Sequence, residues 1–105
     1  MINLQPTFRA LADPTRRDIL HLLGHQSLSV ADVAAEFDMT RAAVKKHLNV
    51  LSDGGLITVK TEGRKTLNTV TPGAMQPIMD WLQSLDAFWD THLNTLKSEI
   101  EKDHT

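Results

Sequence analysis

The chain reads as mainly α with one small β-hairpin, and three observations carry that reading. Two short amphipathic helices, about 29–37 and 41–53, are separated by only about three residues. Residues 57–70 then hold two β-prone runs, Ile57-Thr58-Val59 and Thr66-Leu67-Asn68-Thr69-Val70, around Glu62-Gly63-Arg64-Lys65. From Pro77 to Thr105 no further Gly or Pro interrupts a regular apolar repeat. Together these predict a winged helix-turn-helix with a long C-terminal dimerisation helix. The helix-turn-helix spans about 29–53, the wing about 56–70 and the last helix about 77–102, within a single domain over 1–105.

At 105 residues the chain suits one domain with one core. Apolar residues make up 41% and charged residues 23%, a globular balance rather than a disordered one. No apolar run approaches the ~18 residues that span a membrane. The start, Met1-Ile2-Asn3-Leu4-Gln5-Pro6, lacks the basic and apolar regions of a signal peptide. The chain has no cysteine, so disulfides, thiolate metal sites and a cysteine nucleophile are all excluded. A cytoplasmic protein without a cofactor is the simplest expectation.

The net charge of −2 argues against a nucleic-acid binder until its distribution is considered. Residues 1–39 carry −2 and residues 67–105 carry −4, but residues 40–66 carry +4. Charges beyond roughly 10 Å are screened at physiological salt, so the local patch decides phosphate binding. The patch comprises Arg41, Lys45, Lys46, Lys60, Arg64 and Lys65.

Taken in order, Leu4, Phe8 and Leu11 make a short apolar stripe, giving a helix of about two turns over Leu4 to Ala12. Asp13-Pro14 is a cap followed by a residue favoured at the first helical position. The helix from Pro14 to Leu23 puts Ile19, Leu20, Leu22 and Leu23 inward and stops at Gly24. Arg16 and Arg17 are expected to pair with nearby carboxylates such as Asp13 or Asp18 in preference to phosphate. His25 to Leu28 reads as a loop. Ser29-Val30-Ala31-Asp32 is a capping box with Asp for the usual Glu, opening a helix with Val30, Val33, Ala34 and Phe37 inward. The following turn lacks Gly, but Asp38 tolerates left-handed backbone angles.

Thr40 caps the next helix and Gly54-Gly55 ends it. At about 100° per residue, Val44, Leu48 and Leu51 share one stripe, with Ala42, Lys45, Lys46 and Asn49 opposite. That free face carries small and basic residues and no acid. His47 lies at the edge of the buried stripe, where packing or a buried hydrogen bond is its expected role. After the wing, Thr71-Pro72 repeats the cap-plus-Pro signal, and Pro77 begins the helix proper. Ile78, Leu82, Leu85, Trp89, Leu93, Leu96 and Ile100 recur along it, broadened by Trp81 and Phe88. A helix of about 25 residues is about 37 Å long, more than a 70-residue body covers. Its own copy across a two-fold axis is the most economical partner. The alternative is a last helix folded wholly onto the core.

Particular words strengthen the assignment. They are Ala10-Leu11-Ala12-Asp13-Pro14-Thr15-Arg16-Arg17-Asp18-Ile19-Leu20, Ala43-Val44-Lys45-Lys46-His47-Leu48-Asn49-Val50-Leu51, Gly55-Leu56-Ile57 and Glu62-Gly63-Arg64-Lys65. With the element order, they make the chain resemble the ArsR family of winged-helix repressors over residues 8 to 82. The resemblance implies a homodimer on an imperfect palindrome, joined through the first and last helices. That assigns Leu4, Phe8, Leu82, Leu85, Trp89, Leu93 and Leu96 to the dimer interface. The family's metal sensors often carry a Cys-Val-Cys-type box where this chain has Leu28-Ser29-Val30-Ala31-Asp32, so the chain is similar to the cysteine-free, metal-independent branch. Asp90-Thr91-His92 matches half of a second family site, but Asp103-His104 has the wrong spacing for the other half. Lys45 stands where the family frequently has Ser.

The expected function is sequence-specific binding of double-stranded DNA by a dimeric transcriptional repressor. Thr40, Arg41 and Ala42 lie nearest the base edges in a major groove, with Lys45, Lys46 and Asn49 following. Arg41 is the candidate for bidentate contact to guanine, and Ala42 for a thymine methyl. Lys45, Lys46, Lys60 and Lys65 hold phosphates, and Arg64 reaches the minor groove or the backbone. An effector, small molecule or protein, is left open. The alternatives are a winged-helix protein-interaction module and a metal-responsive repressor using His and Asp on the last helix. The five His are scattered, and no catalytic set assembles from them, so an enzyme is not expected.

Overall fold

A computed structural model describes residues 3–103. The elements run α1 (Gln5–Leu11), α2 (Pro14–His25), α3 (Val30–Phe37), α4 (Arg41–Asp53), β1 (Ile57–Glu62), β2 (Lys65–Val70) and α5 (Gln76–Asp103). They divide into two compact units, one up to Met75 and one from Gln76.

The first unit is built around α4, which packs against α1, α2, α3 and β1. Its stripe of Val44, Leu48 and Leu51 is buried with Ala10, Ile19, Leu23, Val33, Leu56 and Ile57. Truncating one of these leucines to Ala is a change that typically costs roughly 2–5 kcal/mol. α4 begins where Thr40 Oγ1 accepts the Ala43 backbone N–H at 3.1 Å. The paired glycines at its end do different work. Gly55 takes a left-handed φ of +73°, the conformation that ends helices at least cost on glycine. Gly54 has an ordinary φ of −76° but lies against α1, where Thr7 Oγ1 donates to its carbonyl at 2.9 Å.

Asp13 caps α2 as anticipated, its carboxylate accepting the Arg16 backbone N–H at 3.0 Å. The end of α2 differs from the sequence expectation. Gly24 and His25 are still helical, and the Gln26 N–H donates to the Leu22 carbonyl at 3.4 Å. Glycine here costs helix propensity without stopping the helix. Arg16 and Arg17 also differ. Arg16 donates to the carbonyls of Ala10 (2.9 Å) and Arg9 (2.7 Å), and Arg17 to that of Leu11 (2.7 Å). Their guanidinium groups satisfy the orphan acceptors at the end of α1, where positive charge is also favoured. No carboxylate pairs with either side chain within 4 Å among the described residues.

The wing is a two-stranded antiparallel hairpin with Ile57 opposite Val70 and Glu62 opposite Lys65. Gly63 occupies the first turn position with φ +61°, a place that asks for glycine in tight hairpins. The loop before α3 contributes a third, one-residue strand. Leu28 N–H donates to the Asn68 carbonyl at 3.1 Å, and Asn68 N–H returns to the Leu28 carbonyl at 2.8 Å. The Asn68 side chain, buried at 4% exposure, donates to the same carbonyl at 3.2 Å. Burying an amide is tolerable because its donor is used.

The second unit is α5, a helix of 28 residues with Pro77 in its first turn. At 1.5 Å per residue it is about 42 Å long. Leu82, Trp89, Leu93, Leu96 and Ile100 are each about half exposed along one row. Phe88 stacks on His92, with ring centroids 5.5 Å apart, and meets Trp89 edge-on at 5.7 Å. No helix of the described residues is long and apolar enough to cross a membrane.

Candidate nucleic-acid interface

The helix-turn-helix geometry follows from three local devices. Ser29 Oγ accepts the Asp32 N–H at 3.2 Å, which starts α3. Asp38 ends α3 in the left-handed region at φ 52°, ψ 48°, a conformation that Asp adopts more readily than most residues. Thr40 then starts α4, so three side chains turn the backbone within a short connection.

This placement buries one side of α4 and presents the other. Thr40, Arg41, Ala42, Lys45, Lys46 and Asn49 are all exposed. On the wing, Lys60, Arg64 and Lys65 are exposed as well. None of the six cations in this set has a carboxylate within 4 Å among the described residues. Their charge is therefore free to meet an external anion.

The chain brings some of these residues together. Arg41, Arg64 and Lys65 line one concavity of about 450 Å³, bounded also by Ser29, Asp32 and Thr66. The opening of α3 forms part of its wall, and the unpaired N–H groups of a helix start favour anionic oxygen. Asp32 is the single opposing charge. Lys45, Lys46 and Asn49 lie further along α4, and Lys60 lies within β1 opposite Leu67, outside this concavity. Ser29, Asp32 and Thr66 were not among the expected site residues. The capping box located the first two on α3, but only the folded wing brings them opposite Arg64.

His47 is half-buried on α4, between the exposed face and the buried stripe. Its Nδ1 lies 4.0 Å from the Asp13 carboxylate, too far for the hydrogen bond that is one of its two expected roles. The Arg16 backbone N–H, with the Arg16 guanidinium and His47 adding attraction, holds the Asp13 carboxyl below its usual range.

The expected dimer residues fall in both units. Leu4 at the N-cap of α1, Phe8 on α1 and Leu85 on α5 are half-buried, whereas Leu82, Trp89, Leu93 and Leu96 are exposed. Among the described residues no three His, Cys, Asp or Glu side chains converge to hold a metal. His92 is stacked on Phe88, and His104 of the Asp103-His104 pair lies outside the described residues.

The chain is similar to known proteins in sequence and fold. A helix-turn-helix domain model matches residues 11–60. The transcriptional repressor SdpR of Bacillus subtilis is 29% identical over 71% of this chain and 83% of its own. An HTH-type transcriptional regulator of Mycobacterium tuberculosis is 30% identical over 91% of this chain and 87% of its own. Among solved structures, an ArsR-like transcriptional regulator from Rhodococcus sp. RHA1 is 32% identical and superposes with a TM-score of 0.83, covering 90% of each chain.

Proposed function

The chain belongs to the ArsR family of winged helix-turn-helix transcriptional regulators, and on that premise we propose that it represses transcription as a homodimer on a palindromic operator. It is a DNA-binding regulator, like its relatives. In the proposed complex α4 enters the major groove with Thr40, Arg41 and Ala42 leading. Lys45, Lys46 and Asn49 follow along the same face. Two copies then read half-sites about one helical turn apart, and the bound dimer blocks polymerase sterically.

The observation that carries this reading is the concavity shared by Arg41, Arg64 and Lys65. It lies between the exposed face of α4 and the wing tip, and three unpaired cations line it. A phosphate backbone running between groove and wing suits that shape and charge. Arg41 is nearest the base edges of the three, and Arg64 and Lys65 grip from the opposite side. Contacts to phosphate position the protein, while Arg41 supplies discrimination.

The homodimer is supported by the row of half-exposed Leu82, Trp89, Leu93 and Leu96. An apolar row of that length on one helix calls for a partner surface. α1, with Leu4 and Phe8, joins it in this reading. No enzymatic step and no cofactor enter the mechanism, and its place of action is the cytoplasm.

The test is binding by the purified protein to genomic fragments, followed by sequencing of the retained DNA. A retained palindrome, bound with a Kd at least a hundredfold below that for a scrambled duplex, is the expected result. Equal affinity for both duplexes removes the sequence-specific reading.

A further inference from the structure

A second concavity lies along α2 at the root of the wing. It measures about 510 Å³, within the range of small-molecule sites. Leu20, Leu56, Val70 and Met75 make its walls, and its lining is predominantly apolar. The polar groups that reach it are Arg17, His21 and His25, and no acid is among the lining residues. Steps of four along α2 place these three in one row. Arg17 is held in place by its 2.7 Å bond to the Leu11 carbonyl. The two imidazoles meet edge-on with centroids 5.1 Å apart.

An open apolar concavity with one cation and two imidazoles at its exposed edge has a definite chemical complement. We infer that this cavity binds a small monocarboxylate with an aliphatic body, the carboxylate on Arg17 and the imidazole N–H donors, and the chain against Leu20, Val70 and Met75. A neutral molecule of the same size leaves Arg17 unused, and a cation meets it unfavourably. Val70 is the last residue of β2, so an occupant touches a strand that carries the wing. Any effect on DNA binding rests on the regulator reading above, whereas binding of the carboxylate does not.

Gly24 supplies a direct probe. It lines the cavity, and a β-carbon placed on it would meet nothing within 4 Å. Because Gly24 is helical, a larger residue there raises helix propensity as it fills the space. The experiment is calorimetric titration of the full chain, without DNA, with sodium octanoate and with octanol. Octanoate should bind once per chain and at least tenfold more tightly than octanol. Arg17→Gln should abolish that tenfold preference and leave octanol binding unchanged, which also reports an intact fold. Gly24→Leu should abolish both while circular dichroism stays native. Equal affinity for octanoate and octanol in the native protein overturns the assignment, as does octanoate binding that survives Gly24→Leu. So does a native protein that takes up no octanoate but loses its self-association on Gly24→Leu, because the cavity is then a subunit contact.

Discussion

A β-carbon on Gly54 would stand 2.9 Å from the Pro6 carbonyl oxygen and 3.0 Å from the Ala10 side chain. Glycine at the end of α4 therefore lets α1 lie directly on that helix. Gly54→Ala should push the two helices apart and lower stability by roughly 1–3 kcal/mol, the usual cost of overpacking. Gly55→Ala should cost about 1 kcal/mol for a different reason, its left-handed φ. Urea unfolding of both variants checks this, and a Gly54→Ala variant as stable as the native chain contradicts the contact.

Arg41 and Lys65 should differ in kind when removed. Arg41→Ala should narrow the gap between operator and mutated-guanine duplexes by about 1–3 kcal/mol. Lys65→Ala should weaken all duplexes alike and make the salt dependence shallower by about one unit of slope. Fluorescence anisotropy on labelled duplexes between 50 and 200 mM salt, roughly the range over which phosphate contacts lose most affinity, separates the two.

The row on α5 should govern assembly. Leu93→Glu places a charge in the middle of the half-exposed stripe and should convert the proposed homodimer to monomers in analytical ultracentrifugation. Operator affinity should fall at least tenfold, because one copy engages only one half-site. A monodisperse monomer from the native chain would instead remove the two-copy mechanism.

The cap on α2 carries a pH signature. The Asp13 carboxyl is held below its ordinary value, chiefly by the Arg16 N–H. A depressed folded pKa contributes stability above the unfolded value near ~3.9, and that contribution disappears as pH falls through the folded value. Asp13→Asn keeps an acceptor for the Arg16 N–H but no titrating group. Native and variant stabilities should therefore differ more at pH 6 than at pH 2, as read from urea midpoints across that range.

Much of the fold was legible because its signals are local. Thr40, Ser29 and Asp13 each cap the helix that follows them, and Asp38 makes the left-handed turn between α3 and α4. What escaped depends on residues far apart in the chain. Arg16 and Arg17 had carboxylates nearby in sequence, yet the tight corner between α1 and α2 offered them carbonyls at 2.7–2.9 Å. Leu28 looked like loop because its strand partner, Asn68, lies 40 residues on. The site was partly legible for the same reason. Helical periodicity marks the free face of α4, but joining Arg41 to Arg64, Ser29 and Thr66 requires the hairpin to fold back. Gly24 misled because a glycine near a helix end is a frequent stop, and here α2 continues through it.

The Leu28–Asn68 bridge makes the wing a cantilever. Its clamp is at the root, where Ile57 and Asn68 are buried, while β1 beyond Ile57 is exposed all the way to the tip. A beam held at one end is stiff near the clamp and compliant far from it. Arg64 and Lys65 ride on the far end, so in the proposed complex they could follow a phosphate as groove width changes without straining the core. In the proposed complex, operators that differ in local DNA shape would then impose their cost on a few exposed backbone hydrogen bonds, with α4 keeping the same seat in each.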